Sequence, residues 1–127
     1  MRVEEVMNKR IEFVDPDITV LEVIEKIVNK RIRSVVVKPR DKDYGLITIR
    51  DIVYKCLAKG LDPENLKAYE IASKPLITVE KGTSIGNALA IMEKSKIANV
   101  FVKEGEKIVG IVSLMDIMTG YLIGRLL

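Results

Sequence analysis

The feature that most constrains this chain is an internal duplication. Shifting the sequence by 65 residues aligns Glu5–Val53 with Glu70–Met118 without a gap. Most aligned positions are identical or keep the same residue type, so both halves carry the same hydrophobic pattern. An ungapped match of this length predicts two copies of one structural unit packed face to face about a pseudo-twofold axis. Identical pairs include Lys9/Lys74, Val14/Val79, Ile32/Ile97, Val35/Val100, Val37/Val102, Gly45/Gly110 and Asp51/Asp116.

Each copy predicts the element order βαββα. A short extended segment comes first, and a capping residue, Thr19 or Ser84, then precedes apolar residues at helical spacing. Two β-rich runs joined by a polar turn follow, and a second helix closes the unit. We therefore expect an α+β protein with one repeat over residues 1–61 and the other over 62–127. The predicted strands are 11–14, 34–38 and 44–49 in the first copy, and 76–79, 99–103 and 108–114 in the second.

The first closing helix is predicted to begin near Arg50 and to end at Gly60, a residue type favoured just after a helix. Asp62 and Pro63 then resemble the cap and first residue of a short helix that leads into the second copy. The second closing helix ends in an apolar stretch, residues 119–127, which contains Tyr121 and several leucines. Such a stretch is expected to be covered by the other copy or by a second subunit.

Composition excludes several kinds of site. The chain has no histidine and one cysteine, so disulfides, Cys/His zinc sites and histidine-dependent triads are ruled out. A net charge of +3, spread along the sequence, indicates a mild preference for anionic ligands rather than a dedicated nucleic-acid surface. The first residues lack the apolar core of a signal peptide, and no apolar run is long enough to span a bilayer. These observations predict a cytoplasmic protein without a membrane segment.

One motif occurs in both copies: glycine, two apolar residues, Thr or Ser, two further residues and Asp. It comprises residues 45–51 and 110–116. In one interpretation, Thr48 or Ser113 caps a helix, and the acid three residues later completes the cap. In the other, the carboxylate accepts hydrogen bonds from a ribose diol while the hydroxyl and the helix amides favour a phosphate. Helix caps of this form are common, and duplication copies a cap as readily as a site, so both interpretations stay open.

The order of these elements and motifs resembles a pair of CBS domains, which are named after cystathionine β-synthase and form a Bateman module when two occur in tandem. The resemblance covers roughly residues 3–120 and rests on the two runs of residues 32–37 and 45–52 and on their counterparts 97–102 and 110–117. It implies a sensor that binds AMP, ADP or ATP, or less expectedly S-adenosylmethionine, in clefts between the two repeats. It implies no resident cofactor, and the sequence shows no metal-ligand spacing, so no metal site is expected.

The resemblance also implies which residues bind. One ligand would be held by residues of both copies, with the acid on the ribose, the hydroxyl near phosphate or ribose, and apolar residues around the base. The first predicted site comprises Thr48, Asp51, Arg33 and Ser34 with Thr83, Ala88 and Ile97. The second comprises Ser113, Asp116 and Asn99 with Ile18, Val23, Ile32 and Arg33.

The two predicted sites are not equivalent. The proline typical of the family's second strand is absent from both copies, and Phe101 stands where the first copy has Val36. Arg33 and Arg50 correspond to Ala98 and Met115, so basic residues accompany only the first motif. We therefore expect phosphate groups to favour the site of Asp51.

Two other classes of function remain open. The chain could be a structural interaction module whose motifs are only helix caps, or a nucleic-acid-binding protein, which its basic balance alone suggests and which is the less favoured of the two. An enzyme is not expected, because no activated nucleophile or general base is evident. A homodimer is expected from the apolar C-terminal helix, and a regulated protein partner is expected without being identifiable.

Overall fold

The computed structural model describes residues 1–126 and confirms the α+β class, with two three-stranded sheets and flanking helices. The first repeat contains β1 (Phe13–Val14), α1 (Val20–Lys30), β2 (Ser34–Val37), β3 (Gly45–Thr48) and α2 (Ile49–Lys55). A connecting helix α3 (Ala68–Ile71) follows. The second repeat contains β4 (Thr78–Glu80), α4 (Ile85–Ser95), β5 (Asn99–Glu104), β6 (Lys107–Ser113) and α5 (Leu114–Leu126). Leu127 and the side chain of Leu126, both part of the predicted apolar tail, lie outside this description.

The two sheets have the same topology. In each, the first strand runs parallel to the second and the second runs antiparallel to the third, with strand orders β1-β2-β3 and β4-β5-β6. The register places Ser34 opposite Thr48 in the first sheet and Asn99 opposite Ser113 in the second. Because these four positions are related by the 65-residue offset, the duplication predicted from the sequence is also a duplication of strand register.

The first helix of each repeat, α1 or α4, begins at the predicted cap. The Thr19 hydroxyl accepts a hydrogen bond from the Glu22 amide at 3.1 Å, and Ser84 accepts one from the Asn87 amide at 3.1 Å. Both helices end at a residue in the left-handed region, Arg31 and its counterpart Lys96, with φ near 53° and 54°. The caps and the apolar stripe therefore fix the same helix in both copies.

The first closing helix is shorter than the sequence predicts. It ends at Lys55, because Cys56 leaves the helical region at φ −121° and ψ −69° while its side chain stays fully buried. A 3₁₀ turn, Leu57–Lys59, follows and ends at Gly60, which adopts φ 68°. The glycine was correctly predicted to end the segment, but it ends the 3₁₀ turn and not the α-helix.

Each repeat is completed by a segment that precedes it or follows it in sequence. Residues 12–76 form one compact unit, and residues 1–11 form the other together with the described residues from 77 onward. The Val3 amide donates to the Thr83 carbonyl at 2.9 Å, and in the first repeat the Ala68 amide donates to the Ile18 carbonyl at 2.8 Å. These bonds are related by the same offset, so the N-terminal segment serves the second repeat as residues 66–76 serve the first. The compact units thus divide the chain at positions other than the sequence boundary at 61/62.

Residues 66–76 complete the first repeat and the N-terminal segment completes the second, and we call them the closing segments. Each packs tightly against a glycine. A side chain at Gly45 would place its Cβ 2.8 Å from the Ala72 Cβ, and one at Gly110 would place its Cβ 2.8 Å from the Met7 Cγ. The two glycines of the repeated motif therefore allow a neighbouring segment to approach the third strand of each sheet.

Each repeat has its own apolar core. Fully or almost fully buried residues in the first include Val20, Val23, Val35, Ile47 and Cys56, and those in the second include Val3, Ala88, Met92, Val100 and Val112. Among residues 1–126, no helix combines the length and the apolar character needed to cross a bilayer.

Candidate functional site

The repeated motif forms a reciprocal helix cap in both copies. In the first, the Asp51 amide donates to Thr48 Oγ1 at 3.2 Å and the Thr48 amide donates to Asp51 Oδ2 at 2.9 Å. In the second, the Asp116 amide donates to Ser113 Oγ at 3.0 Å and the Ser113 amide donates to Asp116 Oδ2 at 2.8 Å. The capping interpretation of the motif is therefore confirmed. We call Thr48 and Asp51 with their bonded neighbours the first half-site, and Ser113 and Asp116 the second half-site.

The other oxygen of Asp51 is also engaged. The Lys55 ammonium lies 2.9 Å from Asp51 Oδ1, and the Ser73 hydroxyl donates to the same oxygen at 3.2 Å. Lys55 additionally donates to the Ile71 carbonyl at 3.0 Å and to Ser73 Oγ at 3.1 Å. The Asp51 side chain is 12% exposed, so this ion pair is shielded from solvent on the carboxylate side. The first half-site is a compact polar network that joins α2 to the closing segment.

The second half-site lacks this network. At the offset of 65 residues, Lys55 corresponds to Gly120 and Ser73 to Asn8. None of the hydrogen bonds or ion pairs found within residues 1–126 reaches Asp116 Oδ1. A Cβ at Gly120 would lie 2.7 Å from Val6 Cγ1, so the approach of the N-terminal segment leaves no room for a lysine at this position. Asp51 Oδ1 therefore has two partners, whereas no described residue bonds to the equivalent oxygen of Asp116.

The network changes the acidity of Asp51. Burial alone raises the pKa of this carboxyl, but the hydrogen bond from the Thr48 amide and the contact with Lys55 outweigh burial and hold the pKa below its ordinary value. Asp51 is consequently a carboxylate at neutral pH. It can accept hydrogen bonds but cannot donate a proton.

The first motif is flanked by three further predicted residues, Arg33, Ser34 and Arg50. Ser34 is paired directly with Thr48, so Arg33, the exposed residue before it, lies at the end of β2 that adjoins the start of α2. Arg50 is exposed in the first turn of α2, where its guanidinium lies 5.5 Å from the centroid of the Tyr54 ring. Both cations keep surface that an anion can reach.

In the second repeat, Asn99 is exposed and paired with Ser113 at the equivalent end of the sheet. Thr83 is half-buried, and its hydroxyl donates to the Glu80 carbonyl at 2.6 Å. That bond stabilises the turn before α4 and uses the only hydrogen that the Thr83 hydroxyl can donate. The hydroxyl of Thr83 is thus able to accept a hydrogen bond from a ligand but not to donate one while this turn is formed.

The predicted apolar residues fall into two groups. Val23 and Ala88 have no exposed surface and belong to the cores of the first and second repeats. Ile18, Ile32 and Ile97 are only partly buried and pack at the margins of those cores. The three isoleucines are therefore the apolar candidates with surface left for a ligand.

Two residues of the first half-site were not predicted from the sequence. Lys55 follows Asp51 by four residues, a spacing that brings opposite charges together on one helix face, so a search for such pairs would have found it. Ser73 is distant in sequence and reaches Asp51 only because residues 66–76 fold back onto the first sheet. No pattern in the sequence marks it. Within residues 1–126, no group of three or more side chains is arranged to hold a metal ion.

Comparison with known proteins identifies the family. The sequence model of the CBS domain matches the chain twice, over residues 3–58 and 68–122. The chain belongs to the CBS domain family. Each match includes the three strands of one sheet, and pairs of CBS domains are generally regulatory, ligand-binding modules.

Relatives of this CBS pair include proteins of known structure. An uncharacterised protein of Methanopyrus kandleri is 34% identical over 118 residues, which cover 91% of this chain and 60% of that protein. Hypoxic response protein I, solved with two coordinated zinc ions, is 29% identical, with a TM-score of 0.79 over 94% of this chain and 98% of that one. A hexameric CBS-CP12 protein from bloom-forming cyanobacteria is also 29% identical, with a TM-score of 0.81 over 93% of this chain and 66% of that one. This chain thus spans about three fifths of the length of the first curated relatives that it matches.

Proposed function

We propose that this CBS pair is a non-catalytic regulatory module that binds an adenine nucleotide, AMP, ADP or ATP, in preference to S-adenosylmethionine. The observation that carries the proposal is the repeated pairing of a carboxylate with a hydroxyl-bearing residue, Asp51 with Thr48 and Asp116 with Ser113, at the same end of each sheet. Membership of a family of regulatory ligand-binding modules supports it.

The chemistry of the half-sites suits a nucleotide. A carboxylate oxygen accepts hydrogen bonds from the two hydroxyls of a ribose, and Asp116 Oδ1 has this capacity without any rearrangement of the described residues. Arg33 and Arg50 are exposed near the first motif and can pair with phosphate. Phosphate is accordingly proposed to favour the first half-site. Ile18, Ile32 and Ile97 supply partly buried apolar surface for a base.

We infer that the bound nucleotide is not turned over. Histidine is absent from the sequence, and the single cysteine is fully buried, so neither can act as a general base or a nucleophile at the surface. The two motif carboxylates accept hydrogen bonds from backbone amides, so they serve as helix caps rather than as an acid–base pair. Binding would instead favour one arrangement of the protein and so change the surface offered to a regulated partner, whose identity the chain does not reveal.

Self-association is the second element of the proposal. The helix α5 exposes Met115, Met118, Tyr121, Leu122 and Ile123, each more than half exposed. Met118 and Tyr121 also line an apolar groove with Met1, Ile85, Leu89 and Ile117. An exposed apolar surface of this kind marks an interface, and a homodimer would cover it with the same surface of a second copy. Light scattering at micromolar concentration should give the mass of a dimer. The mass of a monomer would contradict self-association.

A thermal-shift screen tests nucleotide binding. A ligand that binds only the folded state raises the melting temperature, and at a hundred times its Kd it stabilises by about 2.7 kcal/mol. We expect AMP, ADP or ATP to raise the melting temperature of the wild type but not of the double variant D51A/D116A. Each shift is measured from the variant's own ligand-free midpoint, because the substitutions also remove two helix caps.

D43A is the matched control, since Asp43 is an exposed carboxylate in the turn between β2 and β3 and lies outside both motifs. This variant should respond to nucleotide as the wild type does. Absence of any shift with the four compounds, including S-adenosylmethionine, would contradict the proposal and favour an interaction module. Salt-sensitive binding to RNA or DNA that D51A leaves unchanged would favour a nucleic-acid-binding protein.

A further inference from the structure

Lys55 is fixed by three oxygen acceptors. Its ammonium contacts Asp51 Oδ1 at 2.9 Å, the Ile71 carbonyl at 3.0 Å and Ser73 Oγ at 3.1 Å. An ammonium group has three N–H donors, so each of them has a partner. The side chain is therefore held in place by the closing segment as well as by the carboxylate.

The carboxylate of Asp51 is correspondingly saturated. Its Oδ2 accepts from the Thr48 amide at 2.9 Å and from the Thr48 hydroxyl at 3.1 Å, and its Oδ1 accepts from Lys55 and Ser73. A carboxylate offers about four acceptor positions. A ribose hydroxyl can therefore bind Asp51 only if Lys55 or Ser73 gives up its bond.

The second half-site has no such competitor. Gly120 and Asn8 stand where the first repeat has Lys55 and Ser73, and Asp116 Oδ1 accepts no bond from residues 1–126. The difference lies in residues outside the repeated motif, so the motif alone does not show it.

We propose that Lys55 makes the first half-site selective for phosphorylated ligands over neutral nucleosides; this inference rests on the proposed function. A nucleoside that takes Asp51 Oδ1 leaves the Lys55 ammonium without its anionic partner and offers nothing in exchange. A nucleotide brings a phosphate that can take the place of the carboxylate, and the exposed Arg33 and Arg50 reinforce that attraction. The second half-site, which has no cation at the position of Lys55, does not discriminate in this way.

The test is the ratio of AMP to adenosine affinity, measured by titration calorimetry in the D116A background, where the first half-site is intact. We expect K55M to lower this ratio about tenfold, a change equivalent to about 1.4 kcal/mol, mainly because adenosine binds more tightly. K55M keeps an unbranched side chain, one heavy atom shorter than that of lysine, and removes the charge. K59M is the matched control, since Lys59 is an exposed lysine of the neighbouring 3₁₀ turn and should leave the ratio unchanged.

A second background checks that the effect belongs to Asp51. In D51A, where only the second half-site is intact, K55M should leave the ratio within about twofold, a difference of less than 0.5 kcal/mol. Circular dichroism establishes that each variant is folded. D116N replaces D116A if the alanine variant unfolds, because asparagine keeps an oxygen that can accept the Ser113 amide hydrogen bond.

The outcomes separate this inference from the proposed function. Binding by the wild type together with an unchanged ratio in D116A/K55M would overturn the selectivity role of Lys55 and leave nucleotide binding in place. Binding of neither AMP nor adenosine by the wild type, D116A and D116A/K55M would overturn both. Adenosine binding that appears only when Lys55 is replaced would support the inference directly.

Discussion

The two half-sites have the same motif and the same reciprocal cap, yet Asp51 accepts hydrogen bonds at both carboxylate oxygens, whereas Asp116 accepts one from residues 1–126 only at Oδ2. In both, a backbone amide three residues earlier donates to the acid, at 2.9 Å to Asp51 and 2.8 Å to Asp116. They differ in the residue one helical turn later, Lys55 or Gly120, and in the residue that the closing segment supplies, Ser73 or Asn8. The motif fixes the helix start, whereas residues outside the motif determine how many hydrogen bonds the acid already accepts.

The closing segments explain why the two copies could diverge here. Residues 66–76 carry Ser73 to Asp51 and also present the Ile71 carbonyl to Lys55. The N-terminal segment instead brings Val6 close to α5, where a Cβ at position 120 would lie 2.7 Å from Val6 Cγ1. A change in either segment can therefore alter the hydrogen bonding of a motif carboxylate without altering the duplicated motif.

The largest effect on the free energy of unfolding is expected at Gly45 and Gly110, against which the closing segments pack. G45A should destabilise the protein by about 2–3 kcal/mol, since the new Cβ would meet the Ala72 Cβ, which can move only with its backbone. G110A should cost about 1 kcal/mol less, because the obstructing atoms belong mainly to the flexible Met7 side chain. Urea unfolding measures both. Equal costs would mean that the two segments are packed with equal rigidity.

A smaller effect on the free energy of unfolding is expected at Asp51 and Asp116. D51N should cost about 1 kcal/mol more than D116N, because it leaves the Lys55 ammonium without its charged partner, whereas D116N breaks no ion pair among the described residues. The two variants are compared by urea unfolding at neutral pH and low salt. A larger loss in D116N would contradict the account of the first half-site.

The pH dependence follows from the lowered pKa of Asp51. A carboxylate whose pKa is lower in the folded state adds stability above its unfolded pKa of about 3.9, and that stability is lost as pH falls through the folded pKa. The gap in unfolding free energy between wild type and D51N should thus be constant near neutral pH and narrow below about pH 4. A gap that is the same at pH 7 and in strong acid would show that the charge of Asp51 does not stabilise the fold.

The smallest effect is expected for ion pairs away from both half-sites. Glu12 pairs with Lys30 at 3.0 Å and is 24% exposed, whereas Glu104 pairs with Lys81 at 3.3 Å and is 62% exposed. E12Q should cost about 0.5–1 kcal/mol, and E104Q should cost less than about 0.5 kcal/mol. Thermal unfolding at low and high salt checks both values. Effects as large as that of D51N would remove the distinction between a shielded network and ordinary surface pairs.

Most of the fold could be predicted because the duplication supplies each element twice. The caps at Thr19 and Ser84 and the β-rich runs are local signals, and the structure reproduces them in both repeats. The sequence does not predict which segment completes which repeat. That pairing depends on long-range hydrogen bonds such as those between Leu46 and Ser73 and between Asn8 and Ile111. The break of the first closing helix at Cys56 was missed for a related reason: the helical pattern continues beyond the point where the backbone turns.

The candidate site was predictable only in part. The repeated acids and hydroxyls were marked by their spacing, and the structure brings each pair together. Val23 and Ala88 were also proposed as ligand contacts, but helical spacing cannot separate a residue in the core from one at its margin, and the structure places both in the core. Lys55 and Ser73 act through contacts that arise only after the closing segment has folded onto the sheet.

The most direct test of the inequality between the half-sites is the titration of the Asp51 carboxyl by ¹³C NMR in the wild type, K55M and K59M. We expect the pKa of Asp51 to lie below its ordinary value in the wild type and in K59M, and to rise in K55M because the charge that stabilises the carboxylate is gone. A pKa of Asp51 that is the same in all three proteins would contradict this expectation.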